Sequence, residues 1–416
     1  MIFNKNILWG LSVLFLSMLS LMTGFVNIFP AIEDSFCQAF NFEDEKGKLL
    51  IRITITILFI TLPTGIFMDK FGSDLTLVIA IIITILSITS CIFFYYNKVI
   101  FSISFVLISF GSCSIFISLL EITLSRSPKT IQGISTSFVC ASLSLSYGVL
   151  LEIFKLGTKM FKFRDDIEKT INGFKTVGTF VCIVLFVAGP LSYFLYHKFP
   201  KREKEISLDE QESKSDLIKL IFNPRYFLIL ICMYNITTDG IIVLVSGHTI
   251  WKSYGKYGYR ESAAKWGLFF SIFNCVFTIT LSFLTDIIIK KFKYKRELIF
   301  SYIWGFLGTI PIATSIIFKM TDNETLFGIF MSLLGIPFGF GLCQIPPILF
   351  STFGSKYYGL LFGIIQISPI ISTFTTGYII GFLGNNGKTI FILSFGFMHI
   401  LFAFLFYFLF RERKLK

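Results

Sequence analysis

The stretch Pro63–Asp74, PTGIFMDKFGSD, decides how this chain folds, because it places charged residues between two long apolar runs. Gly65 lies in the apolar part, where a glycine lets neighbouring membrane helices approach closely. Asp69 pairs with a cation or caps a helix N-terminus, with Lys70 beside it. Gly72 permits a tight turn. The pattern predicts a charged, sharp connection between two membrane-spanning helices.

The runs on either side belong to a chain that is apolar almost throughout. Of its 416 residues 54% are hydrophobic, and the mean hydropathy is +0.77. A hydrocarbon core about 30 Å thick needs about 20 apolar residues per helix, so twelve helices would use about 240 residues. No room is left for a soluble catalytic domain. We therefore expect an all-α polytopic membrane protein that is not an enzyme and holds no cofactor.

The apolar runs fall into two sets of six. The predicted helices lie at about 7–32, 49–68, 75–94, 99–121, 132–153, 176–196, 224–249, 264–285, 298–318, 325–350, 358–383 and 389–410. The strongly polar stretch 197–223 separates the sets, with a short helix expected near Leu217–Phe222. We predict an N-terminal six-helix half at 1–196, a cytosolic linker at 197–223 and a C-terminal six-helix half at 224–416.

The distribution of charge predicts orientation and partners. The net charge is +12 at pH 7, but the basic residues fall between apolar runs and not on one face or tail, which argues against nucleic acid. With the N-terminus in the cytosol, the cytosolic segments hold the larger share of Lys and Arg. We expect both termini in the cytosol, in the plasma membrane or an internal, vacuole-like membrane. The sequon Asn323-Glu-Thr325 would then lie on the outer side, open to glycosylation.

Several site classes have no support in the sequence. The eight cysteines lack CxxC or Cys/His spacing, so we expect neither disulfides nor a metal site. The nucleotide-binding signature GxxxxGK[ST] is also absent, which argues against direct drive by ATP. The three histidines are scattered, with no acidic partner at catalytic spacing along the chain.

Gly65, Asp69, Lys70 and Gly72 match the Gly-x-x-x-Asp-Arg/Lys-x-Gly core of the major facilitator signature. The chain therefore resembles the major facilitator transporters, in which two six-helix halves rock around a midplane site. Ser73 and Asp74 replace the basic residues that end the signature. The resemblance implies alternating access, a monomer, and a conformational switch formed by these four residues together with Arg126 and Asp286.

Asp286 stands where a second copy of the signature belongs. Ser282-Phe-Leu-Thr-Asp286 is followed by Lys290 and Lys291, after the eighth predicted helix. The stretch is either an internal repeat of the signature or an ordinary basic turn, and both interpretations stay open here.

Three stretches resemble one branch, the L-type facilitators of large neutral amino acids and their protist relatives. They are Glu43-Asp44-Glu45 leading into LPTGIFMDKFG, the Gly- and Ser-rich pattern over 105–157, and FSTFGSKYYGLLFGIIQISPIIS at 350–372. Monocarboxylate-porter and nodulin-like branches share much of this pattern, but the first helix lacks the acidic-Gly-Gly-aromatic-Gly-Trp opening of the porters. The resemblance implies a transporter of small polar organic solutes, with amino acids as the expected substrate. The alternatives are an organic-anion porter and a non-transporting membrane sensor.

Two ionisable residues lie inside apolar runs, where a charge at the bilayer centre costs about 2.5–3.5 kcal/mol. Asp239 either binds a substrate ammonium group or carries a coupling proton, or it is a buried carboxylate paired with a packing partner. Arg52, about one turn into the second helix, either extends to the outer surface or binds a substrate carboxylate. Both alternatives stay open.

Neutral polar side chains complete the predicted site for a small-molecule substrate. Such a site needs a few placed polar groups, although buried amides also bridge helices. The candidates are Asn27, Asn235, Thr238, Asn274, Gln344 and Gln366.

Overall fold

The computed structural model describes residues 5–128, 131–159, 166–200, 214–244, 246–253, 259–320 and 323–411. These residues are overwhelmingly helical, and none of them forms a β-strand. Residues 201–213 of the predicted linker and the basic tail from 412 onward lie outside the described residues.

Among the described residues, twelve helical segments are long and apolar enough to cross a membrane, which confirms the predicted all-α polytopic membrane fold. We number them in chain order as spans 1 to 12: Ile7–Phe29, Leu49–Phe71, Ser73–Phe93, Lys98–Arg126, Gln132–Lys159, Asp166–Tyr196, Pro224–Leu244, Lys265–Phe292, Arg296–Met320, Glu324–Phe353, Tyr358–Phe382 and Asn385–Arg411. Span 4 runs past Glu121, where the predicted helix ended, to Arg126. The part of the chain that the structure describes also contains the short helices Glu33–Ala39, Lys214–Ile221 and Gly247–Ser253.

Prolines divide three of the spans into two helices each. In span 9 the helix Arg296–Leu307 gives way to Thr309–Met320, in span 10 Glu324–Leu333 to Gly335–Phe353, and in span 11 Tyr358–Ile365 to Ile367–Phe382. Each first helix ends four residues before a proline: Pro311, Pro337 and Pro369. A proline has no N–H for the carbonyl four residues earlier, and its ring crowds that carbonyl. Proline alone is not sufficient, since Pro190 lies inside the unbroken helix Asp166–Tyr196.

Spans 1 and 2 are also interrupted. The helix Lys5–Thr23 continues as a 3₁₀ helix over Gly24–Ile32, and span 2 consists of Asp44–Ile57 and Leu62–Phe71. A 3₁₀ run of nine residues is long, because that geometry rarely persists beyond one turn. It begins at Gly24, where a Cβ atom would overlap the side chain of Ser146.

The chain packs as two compact units. Unit 1 contains Met1–Arg126 and Ser142–Lys201, and unit 2 contains Ser127–Ala141 and Arg202–Lys416. The beginning of span 5 therefore packs with unit 2 and the remainder of that span with unit 1. The predicted division into halves at 1–196 and 224–416 stays a prediction.

Aromatic side chains fill much of each core. In unit 1, Phe29, Phe36, Phe101 and Phe105 are fully buried, and the Phe29 and Phe105 ring centroids are 4.7 Å apart. In unit 2 a cluster forms around Trp251, Trp266, Phe270 and Phe327. Such rings bury large apolar areas and favour edge-to-face contacts.

Candidate functional site

Asp239 lies fully buried in span 7, where it pairs with a histidine. Its Oδ2 atom is 3.0 Å from Nε2 of His399 in span 12, and both side chains have 0% exposure. The two atoms are not aligned for a hydrogen bond, so this is a close contact between two ionisable groups. His399 is not among the predicted site residues.

Asn235 contacts the other ring nitrogen of the same histidine. Its Nδ2 atom is 2.8 Å from Nδ1 of His399, and Nδ1 is also 2.9 Å from the carbonyl oxygen of Phe395. We call Asp239, Asn235 and His399 the His399 cluster. Two predicted substrate contacts thus belong to one buried polar group between spans 7 and 12.

Span 9 closes the cluster from a third side. The Trp304 ring lies 4.8 Å from the His399 ring, centroid to centroid. At Gly308, in the break of span 9, a Cβ atom would overlap the Cβ of His399. The missing side chain at Gly308 therefore allows span 12 to approach closely.

Hydroxyl groups join span 7 to span 11. The Oγ atoms of Thr238 and Ser372 are 2.7 Å apart, and the hydroxyls of Tyr234 and Thr375 are 2.9 Å apart. Thr238 is thus engaged with a neighbouring span. Gln366 is buried at the break of span 11.

Asn274 is buried in span 8 beneath two glycines of span 10. Its Oδ1 accepts a hydrogen bond from Thr278 at 3.0 Å, while its Nδ2 has no partner among the described residues. A Cβ atom at Gly339 would overlap the amide of Asn274, and one at Gly335 would crowd the same residue. The close packing of spans 8 and 10 therefore leaves one amide donor unsatisfied.

Gln344 belongs to a charged network around Asp286. Arg296 donates through Nη2 to Asp286 Oδ1 at 2.5 Å and through Nη1 to Gln344 Oε1 at 3.0 Å. The Gln344 amide in turn donates to Ser282 at 2.9 Å. The Arg296 and Asp286 side chains are only 9% and 6% exposed. We call Asp286, Arg296 and Gln344 the Asp286 network.

The beginning of span 5, which packs in the same unit, joins this network. The backbone N–H of Ile134 donates to Asp286 Oδ2 at 2.8 Å. The helix starts at Gln132, so this N–H is one of those that lack a partner within the helix. Asp286 therefore supplies a negative charge to the positive end of a helix dipole.

Unit 1 holds a second buried charged group, at Arg126. Its Nη2 donates to Asp74 Oδ2 at 3.0 Å, and the Arg126 side chain is only 4% exposed. Its Nη1 donates to the carbonyl oxygens of Phe199 at 2.7 Å and Tyr196 at 3.3 Å. Span 6 ends at Tyr196, so Arg126 satisfies carbonyls at its negative end. We call Arg126 and Asp74 the Arg126 pair.

The structure places the four signature residues at the start of this region. Gly65 is buried, whereas Asp69 and Lys70 are exposed. Gly72 has φ of 90°, a conformation that side chains strongly disfavour. The turn expected at Gly72 is therefore present. Asp74, which departs from the signature, is the residue that pairs with Arg126.

Two predicted contacts lie elsewhere in unit 1. Asn27 is half-buried in the 3₁₀ segment of span 1, with its amide close to Gly24. Arg52 is exposed on the helix Asp44–Ile57. At the start of that helix, Lys46 donates to Glu43 at 2.8 Å, and this hydrogen bond lowers the pKa of Glu43 below its ordinary value.

The predicted site residues therefore fall into separate groups. In unit 2, Asp239 and Asn235 share the His399 cluster, and Gln344 and Asp286 share the Asp286 network. The partners that complete these groups, His399 and Arg296, have weak signals in the sequence. His399 interrupts an apolar run, and Arg296 ends the basic run that follows Asp286.

A comparison with protein families decides the classification. The model of the Major Facilitator Superfamily matches residues 13–368. The chain belongs to the major facilitator superfamily. It is a multi-pass membrane transporter with the fold of that family.

Solved structures of this superfamily have the same fold. The proton:xylose symporter XylE, bound to 6-bromo-6-deoxy-D-glucose, is 14% identical with a TM-score of 0.74, covering 98% of this chain and 96% of its own. The E. coli fucose:proton symporter FucP is 13% identical with a TM-score of 0.70, covering 95% and 98%. A bacterial homologue of the iron transporter ferroportin is 14% identical with a TM-score of 0.71, covering 96% and 99%. At these identities the likeness concerns the fold alone.

One curated relative also matches. It is a probable transporter, MCH1, of Wickerhamomyces anomalus, 25% identical over 126 residues. The match covers 30% of this chain and 25% of the relative. This chain thus aligns with about a quarter of the relative's length.

Proposed function

We propose that this major facilitator protein carries small polar organic solutes by alternating access, and that amino acids are its substrates. The observation that carries the proposal is the family assignment over residues 13–368. The amino-acid assignment rests on the resemblance of residues 62–72 and 350–372 to the L-type facilitators. We propose further that both termini lie in the cytosol.

Neutral polar groups inside the spans are the proposed substrate contacts. Asn27 is half-buried where span 1 changes to 3₁₀ geometry, and helix irregularities of this kind free backbone groups for a ligand. Asn274 keeps a donor without a partner among the described residues. Within unit 2, Asn274, Thr238 and Gln366 are the amides and the hydroxyl that we propose orient a small solute.

The two buried charged groups are the proposed conformational switch. The Arg126 pair satisfies the carboxyl end of span 6, and the Asp286 network satisfies the amino end of span 5. Each contact exists only while that helix end is in place. Alternating access moves helix ends, so we expect these contacts to break and re-form during transport.

A second candidate, an organic-anion porter, is favoured by one observation. Asp239 already pairs with His399 and is not open to an ammonium group in the described conformation. An anionic substrate does not need a free carboxylate in the protein. Monocarboxylates should therefore be tested as substrates together with amino acids.

The test is counterflow in proteoliposomes, which needs no driving force. Purified protein is reconstituted, loaded with an unlabelled solute, and diluted into the labelled solute. Separate vesicles carry large neutral amino acids, monocarboxylates or hexoses. Counterflow of amino acids alone is the expected result, and counterflow of monocarboxylates alone transfers the proposal to the second candidate. Counterflow of none of the panel refutes both.

A matched pair of variants examines the site. Asn27→Ala removes a proposed contact, and Asn386→Ala removes an exposed amide in the first turn of span 12. We expect at least a tenfold rise in the half-saturating solute concentration for Asn27→Ala and no change for Asn386→Ala. Equal values for both variants would remove Asn27 from the site.

A further inference from the structure

We propose that Asp239 and His399 together form the proton-binding site that couples transport in this protein to a pH gradient. The proposal rests on the proposed transport function and names its driving ion. It follows from how these side chains are buried, from what surrounds them, and from the number of charges they can carry.

The number of protons on the pair sets its charge. With one proton beyond a carboxylate and a neutral imidazole, the pair is neutral, whether as aspartate with imidazolium or as aspartic acid with imidazole. Without that proton the pair carries one negative charge. Both side chains are 0% exposed, and a net charge enclosed in this way is costly. In the described conformation, the pair therefore holds its proton.

The surroundings of His399 suit both protonation states. Asn235 can turn either end of its amide towards Nδ1, 2.8 Å away. Its nitrogen donates when Nδ1 is bare, and its oxygen accepts when Nδ1 carries a proton. The Phe395 carbonyl, 2.9 Å from Nδ1, accepts in the second case. The amide oxygen of Asn235 has no other partner among the described residues, which leaves it available for that role.

No other charge compensates the pair within the described residues. Span 7 packs against spans 8, 10, 11 and 12 and against the short helices Lys214–Ile221 and Gly247–Ser253, whose Lys219 and Lys252 side chains are exposed. The polar groups that meet it from span 11 are the hydroxyls of Ser368, Ser372 and Thr375, which are neutral. Span 10 brings Phe338 against Gly240, and span 9 brings Trp304 against His399. His399 is the titratable group that interacts with Asp239, while Tyr234 on span 7 bonds to Thr375.

Stability alone does not account for such a pair. Replacing a buried ion pair by apolar residues of similar volume is often neutral or stabilising. The environment supplied by Trp304 and Gly308 is already packed closely around the imidazole. Packing therefore does not require a titratable pair in this position, and histidine is the side chain whose ordinary pKa lies nearest neutral pH.

The cycle that follows moves one proton per turnover. In a conformation that admits water to span 7 from the acidic side, the negatively charged pair takes up a proton and becomes neutral. The neutral pair is enclosed as the protein changes conformation. Water admitted from the other side then receives the proton, and the pair returns to its negative state.

The experiment separates exchange from accumulation in proteoliposomes. Counterflow without a gradient measures exchange, and uptake against one pH unit, acid outside, measures coupling. One proton per neutral solute allows up to about tenfold accumulation at one pH unit, since each unit is a tenfold ratio of proton concentration. We expect accumulation approaching this limit for the unmodified protein.

Asp239→Asn removes the carboxylate of the pair while keeping a polar side chain of similar size. The imidazole that remains is neutral without an added proton, so we expect this variant to retain counterflow within about twofold and to lose accumulation, giving a ratio near one. Asp166→Asn is the matched control, since Asp166 is exposed and pairs with Lys169 at 2.7 Å. It should accumulate solute as the unmodified protein does.

Each other result has a definite meaning. If Asp239→Asn still accumulates solute, the proton site lies elsewhere and the proposal is wrong. If Asp239→Asn is folded but loses counterflow, Asp239 is a substrate contact and the proposal is equally wrong. If the unmodified protein exchanges solute but never accumulates it, proton coupling fails while the transport proposal stands. Absence of counterflow in the unmodified protein with every solute tested is instead a failure of the transport proposal.

A direct measurement covers the case in which a variant does not fold. Solute added to unmodified proteoliposomes in weak buffer should make the outside medium more alkaline, with one proton removed for each solute taken up. A constant pH during measured uptake would overturn the proposal without any variant.

Discussion

Removing Arg296 tests how much the Asp286 network contributes to the stability of unit 2. In Arg296→Met the Asp286 carboxylate stays buried and keeps one described hydrogen bond, from the Ile134 N–H. Breaking a buried pair by removing one partner costs about 3–5 kcal/mol. We expect Arg296→Met to lower the free energy of unfolding by about 3 kcal/mol, at the low end of this range, because the amino end of span 5 still stabilises the carboxylate.

The double variant distinguishes a broken pair from lost packing. Asp286→Asn combined with Arg296→Met leaves no charge buried in this network. The double variant should therefore lose less than about 2 kcal/mol of unfolding free energy. Lys155→Met breaks the exposed pair with Glu152, whose side chains are 50% and 58% exposed. That control should cost less than about 1 kcal/mol.

The assay is equilibrium unfolding in mixed micelles of a mild detergent and dodecyl sulfate, followed by far-UV circular dichroism for both units and by tryptophan fluorescence. Three of the four tryptophans, Trp251, Trp266 and Trp304, lie in unit 2, so the fluorescence reports mainly on that unit. If Arg296→Met unfolds within about 1 kcal/mol of the unmodified protein, the buried pair is not a significant source of stability. If the double variant is no more stable than Arg296→Met, the loss comes from packing and the electrostatic account is refuted.

Three further predictions concern local structure, and each is checked by the same unfolding assay. Gly72→Ala forces a side chain into φ of 90° and should cost about 1–3 kcal/mol. Gly328→Ala should cost about 1–3 kcal/mol, because a Cβ atom there would overlap the Trp266 indole. Its control is Gly377→Ala, where no atom lies within 4 Å and no loss is expected. Asn323→Ala removes the side-chain cap that accepts from the Leu326 N–H at 3.1 Å, and should cost about 1 kcal/mol.

The sequence predicts the number and order of the spans well, because each needs an apolar run of a length set by the bilayer. It predicts their ends less well. The prediction ended the fourth helix at Glu121, because charged residues usually mark the membrane surface. The helix continues to Arg126, since Asp74 and the end of span 6 provide that side chain with partners inside the protein.

The partners of the buried charges are much harder to predict. Asp239 is conspicuous in its apolar run, yet its partner His399 lies 160 positions later in the chain. Which side chains meet depends on the rotation and approach of the helices. Here the approach is set partly by Gly308, whose missing side chain admits His399. Sequence patterns identify a buried ionisable residue but not the helix that neutralises it.

The same physical constraint explains where Arg126 and Arg296 lie. A charged side chain away from water needs opposite charge together with hydrogen-bond partners, and a helix end in the membrane has unsatisfied backbone groups of its own. Arg126 meets Asp74 and carbonyls at the negative end of span 6, whereas Arg296 meets Asp286, which binds the positive end of span 5. Each arrangement satisfies a charge and a helix end together. The Asp239–His399 pair lies within its own two helices, and its described polar contacts are to each other, to Asn235 and to the Phe395 carbonyl. This difference is why we assign proton binding to that pair and the conformational switch to the other two groups.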